Sequence, residues 1–503
     1  MNEEEETIQH PSSLTTVFLD QPPSCLEFCP ADPDHFVVGT YLLSEAKKKN
    51  QDDGNGAEED ENEEVVVDQK KTGSLQLWRL DVMASELTQK QVVTLPHAVF
   101  DLHFHPRERT LLAVATSAAS VSLYRVARSE ASAPDLDFPQ IQHIWTIQTH
   151  EDPTIPALFL AWAPERWFPF GKSVCFCDGS TSADGFAVTF SDGRTSVFTA
   201  RRGGEQLVRA EFVESQFEPR ESIETWFVAL ATFQPASSSG NNNAQAIPFL
   251  FTGNDFGSLQ TRRFAPVEQE DPSNDGDMDM DMDLNNYEAL NFDDKARHHT
   301  AGVTAILPLP TPLIQDSPLL LTGSYDEFIR VYHATPRTKG KVLAETRLGG
   351  GVWRLQLIDI VEEGRERDPL TVQSSSEDDS NEDTTSYRTR FLILASCMHA
   401  GTRILNVIWR RRRARSSSSS DVTDSGSGAL IEEEVGEWDI QLLAKFTEHQ
   451  SMNYASDFWK QRGDGGGRGG KEEEEEKEEN KKQLVCLSSS FYDRRLCLWR
   501  VDI

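Results

Sequence analysis

Basic residues are scarce in this chain. It has 49 Lys and Arg against 82 Asp and Glu, a formal charge of −33. A surface of that sign repels phosphate, so neither nucleic acid nor an anionic membrane is expected as a partner. Much of the charge falls in segments too polar to bury a core, so it says less about the folded surface than its size suggests. Cysteine is also sparse: seven residues, at 25, 29, 175, 177, 397, 486 and 497. The odd number, the apolar strand-like settings and the lack of a CxxC pair favour buried thiols over disulfides or zinc, and a reducing, cytoplasmic setting. No run approaches the ~18 apolar residues of a membrane span. The start, MNEEEETIQH, lacks the apolar core of a secretory signal. No GxSxG elbow, HExxH pair or Walker loop occurs, so standard catalytic signatures are mostly absent and no metal is expected. Gly465, Gly467 and Gly470 match a dinucleotide fingerprint in spacing only, since they sit in a Gly/Glu tract without a preceding strand.

What the chain does have is a repeated hairpin. In LLLTGSYDEFIRVY (319–332) an apolar run meets a short turn and then an alternating segment, the pattern of two paired antiparallel strands. Asp326 sits in the turn, where a short carboxylate accepts backbone N–H bonds, and Tyr332 follows six residues later. Asp493 precedes Trp499, and Asp192 precedes Phe198, by the same six residues. Asp255 holds the equivalent place, although the aromatic position has become Thr261-Arg262. Degenerate copies at 73–78, 111–124 and 393–405 bring the total to seven. This is the inner hairpin of a WD-type repeat, and the fold class is all-β: a seven-bladed WD40-type β-propeller with long disordered inserts. Seven blades at ~40–45 residues need roughly 300, and the inserts hold the excess.

In chain order, residues 1–14 read as a disordered tail and 15–503 as a single propeller. Thr15–Asp20 has no sequential partner and is expected to pair near Leu496–Val501, completing the last blade. Blade one begins at Ser24 and is interrupted by the insert 44–72. Blade two carries His97, expected to bond within its own blade. Blades three and four run over 155–200 and 222–264. The insert 267–297 follows, whose alternating Asp and Met would repel itself as a strand and lacks the glycine and glutamate of an EF-hand. Blade five opens at His299, expected to hold that blade together. Blade six starts at Leu348, is broken by 361–388 and resumes at 390–409. The insert 410–437 opens with RRRRAR, read as a loop. Blade seven is expected to start at Trp438, with an insert at 461–483 before the closing strands.

Five segments occur in this order along the chain, GSYDEFIRVY (323–332), GGVWRL (350–355), ILASCMHAG (393–401), NYASDFW (453–459) and SSSFYDRRLCLW (488–499), of which GGVWRL and SCMHAG are not generic to such repeats. With CLEFCP and GTYLL near the start and RHHTAGV at 297–303, they resemble the WD-repeat diphthine methylesterase family. The resemblance covers most blades and skips the inserts. It implies hydrolysis of the methyl ester of methylated diphthine on translation elongation factor two, giving diphthine and methanol and permitting the final amidation to diphthamide. It also implies no cofactor and nothing resembling a methyl-donor site. A cytoplasmic monomer is expected. The alternative is a non-catalytic WD40 scaffold for a multiprotein complex.

Ester hydrolysis needs an activated water or nucleophile, a base and donors for the developing oxyanion. The substrate that the resemblance implies also bears a quaternary ammonium, which aromatic faces and nearby carboxylates would hold. His399 stands where other blades carry a turn aspartate and is the candidate base. Ser324, Tyr325 and Tyr492 flank turn aspartates and are candidate oxyanion donors. Trp353 and Tyr454 are candidates for a cation-binding wall. Asp192, Asp255, Asp326 and Asp493 read as structural turn residues. Cys397 sits in a strand context that argues for burial rather than for a nucleophile.

Overall fold

The organising hairpin forms from Leu319–Ser324 and Phe328–His333, which pair antiparallel with Gly323 opposite Ile329. In a computed structural model the same unit recurs in seven antiparallel sheets closed into a ring, a seven-bladed β-propeller. The structure describes residues 8–47, 67–128, 138–169, 183–201, 212–235, 246–265, 283–366, 386–412, 436–461 and 482–503. Among them no helix is long and apolar enough to cross a membrane.

The innermost strands of blades one to seven are Pro23–Phe28, Val99–Phe104, Ala157–Trp162, Thr225–Phe233, Val303–Pro308, Arg354–Glu366 and Ala455–Phe458. Second strands such as His35–Thr40, Leu111–Thr116 and Leu319–Ser324 are buried at every position. They are sandwiched between neighbouring blades and so read as continuous apolar runs rather than as alternation. The five described cysteines, at 25, 29, 397, 486 and 497, are free and buried in this packing.

The chain ends meet in blade seven. Ser13–Phe18 is its outermost strand, with Ser13 opposite Trp499 and Phe18 opposite Arg495, close to the pairing expected for 15–20. Ordered chain also extends further out than the tail reading allows. Gln9 donates to Leu443 O at 2.9 Å and accepts from Lys445 N at 2.9 Å, and its side chain reaches Asp502 O at 2.8 Å, joining blades six and seven.

Other boundaries shift for a shared reason. Glu437–Phe446 is the outer strand of blade six, not the start of blade seven: it pairs with Thr402–Arg412, and Trp438 stacks on Trp409 at 5.6 Å. Blade seven starts at Ala455. Within 267–297, a 3₁₀ turn at Leu284–Tyr287 with Leu284 fully buried leads into the strand Glu288–Asp293, the edge of blade four. Strands also run into the other inserts. Leu42–Lys47 pairs with the start of Val67–Asp81, and Arg354–Glu366 with Ser386–Ser396. The polar composition read as solvated coil serves here as cross-strand pairing, with Glu363 meeting Arg390 at 2.7 Å and Arg388 at 3.5 Å. The remaining insert residues, 48–66, 267–282, 367–385, 413–435 and 462–481, lie outside the described residues.

Removing residues 1–18 strips the Gln9 bridge and the outer strand of blade seven, leaving Arg495–Asp502 as an open edge. The expected outcome is a thermal midpoint lowered by at least about 5 °C, with aggregation on heating. A scanning calorimetry trace unchanged from the full chain would show that closure does not depend on this strand.

Candidate functional site: the aromatic mouth of the channel

Each inner strand begins at the end of the blade where the second strand turns into the third, as Val303 opposite Ser324 shows. One face of the ring therefore gathers the turns that carry the candidate residues. Three of the turn aspartates bond locally. Asp326 accepts from Thr300 N at 3.0 Å and Phe328 N at 3.1 Å and pairs with Arg330 at 2.9 Å. Burial opposes its charge, but the Arg330 and backbone bonds prevail and hold its pKa below the usual carboxylate value. Asp192 accepts from Arg194 N and meets His150 at 3.1 Å. Asp493 accepts from Gln450 N and from the Ser451 and Ser490 hydroxyls. His299 bonds Thr322 Oγ1 at 2.9 Å, and His449 bonds Ser488 Oγ at 2.8 Å, the oxygen that also accepts from the Trp499 indole. Burial lowers these histidines to about 3 and about 4, so they are neutral blade pins. His97 differs from its expectation: it is exposed and makes no hydrogen bond within its blade among the described residues.

Asp255 is not a turn residue of this kind. Asn254 takes the turn bond, from Ser258 N at 2.8 Å, while Asp255 accepts the Trp226 indole N–H at 2.6 Å. That contact places it in an aromatic group contributed by several blades. Trp353 lies 5.6 Å from Trp226, 5.9 Å from Tyr325 and 5.0 Å from Tyr454, ring centre to ring centre. The series continues through Phe491, 5.4 Å from Tyr454, to Tyr41 and Phe100. Blades four, five, six, seven, one and two thus each supply a ring. All seven are half-buried, with part of their surface open. Two glycines make room for Tyr325. A Cβ at Gly351 would stand 2.7 Å from Met398 Sδ and 3.3 Å from Tyr325 Cδ1, and one at Gly302 would stand 2.8 Å from Tyr325 Cδ2. Gly351 of GGVWRL and Gly302 of HTAGV are required by this packing, while a Cβ at Gly350 would meet the backbone of the Cys397–Ala400 turn.

The other candidates divide. Tyr325 keeps its phenol proton, since burial and then the Asp255 carboxylate raise its pKa. Tyr492 is 68% exposed, its ring edge-on to Phe491 at 5.0 Å. Ser324 is fully buried, donates to Ala301 O and accepts from Asp326 N, so its hydroxyl hydrogen is already engaged and it is no free oxyanion donor. His399 is exposed on a turn fixed to blade seven through Asn453 N to Met398 O at 3.0 Å, one residue from Tyr454. Its side chain has no hydrogen-bond or ionic partner among the described residues. Burial pushes the Cys397 thiol up to about 12, too high for a thiolate nucleophile.

Beneath the mouth, charged groups line the inner strands. Asp457 of blade seven accepts from Phe28 N of blade one at 2.8 Å, and Glu27 of blade one from Phe104 N of blade two at 3.1 Å. Asp101 of blade two accepts from Leu160 N of blade three at 3.4 Å. His103 lies between Asp101, at 3.1 Å, and Glu27, at 3.2 Å. Burial works against its charge, but the two carboxylates prevail and raise it to about 10. Such an imidazolium is a fixed cation, not a base. Asp457 is raised to about 7 by burial and then by Glu27. Arg354 reaches Asp101 at 3.7 Å and lies 4.6 Å from the Phe159 ring and 4.9 Å from that of Trp353. No group of three or more His, Cys, Asp or Glu among the described residues is placed to hold a metal.

No protein-family model matches the chain. Over 201 residues it is 25% identical to a Schizosaccharomyces pombe protein named diphthine methyltransferase. The two are distantly related. The match covers 40% of this chain and 38% of the relative, so the chain spans well under half the length of that relative. Among solved structures it aligns with a chain of the mitotic checkpoint complex at a TM-score of 0.45 and 10% identity, covering 98% of this chain and 92% of the other. The Saccharomyces cerevisiae and Chaetomium thermophilum Sqt1 structures align at 0.44 and 0.43, with 10% and 12% identity, over 98% of this chain and all of theirs. At these scores the alignments carry nothing about function.

Reading turns and motifs missed Trp226, the role of Asp255, and the Glu27, Asp101, His103, Arg354 and Asp457 group. The available signal was a charged or polar residue inside an otherwise apolar inner strand. For Asp457 the folded pKa lies above the unfolded value, so its contribution to stability is complete below about 4 and is lost as pH rises through about 7. Asp457→Asn is therefore expected to gain on the wild type, in chemical-denaturation midpoint, as pH rises from about 5 to about 8. A gap between the two that is constant over this range would contradict the raised value.

Proposed function

We propose that this chain hydrolyses the methyl ester of methylated diphthine on translation elongation factor two, as a cytoplasmic monomer without a cofactor. The observation that carries the reading is the aromatic mouth with Asp255 at its edge. Ring faces backed by a carboxylate attract a quaternary ammonium, and the attraction strengthens as water is excluded. The distant relationship to the diphthine-pathway protein supports the same substrate.

In this scheme the ammonium rests on Trp353, Tyr454, Trp226 and Tyr325. Water adds to the ester carbonyl while His399 takes its proton, and the O–H groups of Tyr325 and Tyr492 donate to the developing oxyanion. The acyl–oxygen bond then breaks. Methanol leaves with the proton returned by His399, and the product acid ionises to the carboxylate. Ser324 has no part, because its hydrogen is engaged.

A specific observation favours the second reading, a binding platform without catalysis. At the mouth His399 stands alone, without the hydrogen-bonded nucleophile that an assembled pair would show among the described residues.

Purified protein incubated with a methyl-esterified diphthine peptide separates the two readings. Release of methanol and carboxylate is expected, and tight binding without turnover would establish the platform and overturn the esterase. With turnover present, Trp353→Ala is expected to raise KM by about tenfold, the worth of one desolvated cation–π contact. His399→Ala is expected to lower kcat by about 100-fold. Full activity in the second variant would remove His399 from the mechanism.

A further inference from the structure

Arg354 is oddly placed for a residue that only braces the ring. It follows Trp353 directly, lies against that ring and sits among Phe159, Phe227 and Trp353, opposite Asp101. Burial works against its charge, and Asp101 offsets this only in part. One guanidinium nitrogen is engaged, donating to Trp353 O at 2.9 Å and Thr304 O at 3.5 Å. The other terminal nitrogen approaches Asp101 at 3.7 Å, beyond hydrogen-bond length, and Asp101 already serves His103 and Leu160 N. Nε has no hydrogen bond among the described residues. A planar fork with donors to spare, largely shielded beside an aromatic wall, is suited to a carboxylate or carbonyl oxygen.

We infer that the mouth is a two-pole site in which Arg354 takes the carboxyl end of a ligand whose quaternary ammonium lies on the Trp226, Tyr325 and Trp353 wall. The inference rests on the reading of the mouth as an ammonium site and adds to it the residue that meets the carboxyl end of a betaine-type group. Trp353 borders both poles, which suits two charges so close together. In ester hydrolysis the same guanidinium would face the carbonyl oxygen as it gains negative charge, and afterwards the product carboxylate. The mouth should then hold the charged product more tightly than its neutral carboxyl counterpart.

The test uses the full chain and three small probes, tetramethylammonium, glycine betaine and betaine amide, titrated by NMR. Wild-type protein is expected to bind betaine about tenfold more tightly than betaine amide, the discrimination of a charge-assisted hydrogen bond. In Arg354→Met that preference is expected to vanish. A wild-type protein that binds tetramethylammonium but does not prefer betaine overturns the role of Arg354 and leaves the ammonium reading standing. A protein that binds none of the probes overturns both. The comparison within the wild type decides the matter even where Arg354→Met does not fold. Arg354→Lys, which keeps the charge opposite Asp101 but loses the fork, is expected to retain only part of the preference, and full retention would count against the inference.

Discussion

The ring depends on inner-strand carboxylates, two buried and one half-buried, bonded to a neighbouring blade's backbone. Asp457, Glu27 and Asp101 each lie on the inner strand of one blade and accept an N–H from the inner strand of the next. Thr304 Oγ1 makes the corresponding link from blade five to Val352 O of blade six at 2.5 Å, and Ser24 Oγ from blade one to Val99 O of blade two at 2.7 Å. Inner strands of different blades do not share a ladder, so their facing backbone groups need side-chain partners. Short carboxylates and hydroxyls supply them and fix the spacing of the blades around the channel.

That solution concentrates negative charge along the inner strands, and the chain compensates in two ways. Beside Glu27 and Asp101 it places His103, held cationic by both. Above them it places Arg354, whose charge faces Asp101 on one side and the aromatic mouth on the other. Structural need and binding chemistry meet at Arg354. The residue that balances the channel is also the one positioned to meet a ligand. Asp457, with no cation bonded to it, answers by holding its proton near neutrality.

Much of the architecture was legible in the sequence, because hairpin turns have a local signature. Asp326 and Asp192 accept N–H groups of their own turns, whereas Asp493 accepts from Gln450 N of another loop and from the Ser451 and Ser490 hydroxyls, and the seven blades follow. Asp255 has the same spacing and a different job, since neighbouring Asn254 takes the turn bond and frees the carboxylate for Trp226. Blade edges were less legible. Outer strands such as Glu288–Asp293 and Glu437–Phe446 carry polar residues on their exposed side and look like insert until their cross-strand partners are seen. The mouth was half legible. Trp353 stands in the non-generic GGVWRL segment, where Arg354 follows it directly, and Tyr454 stands in NYASDFW, whereas Trp226 joins them only through ring closure, which no local pattern encodes.

The central claim is that this mouth acts on a methylated, esterified side chain of the elongation factor. It is tested most directly by mass spectrometry of that factor from cells lacking the chain. The methyl-esterified form of diphthine is expected to accumulate, and purified wild-type protein, with nothing else added, is expected to convert it to the free carboxylate. Fully amidated diphthamide in those cells, at the level of the parent strain, would contradict the claim and leave the mouth as a binding site for some other partner.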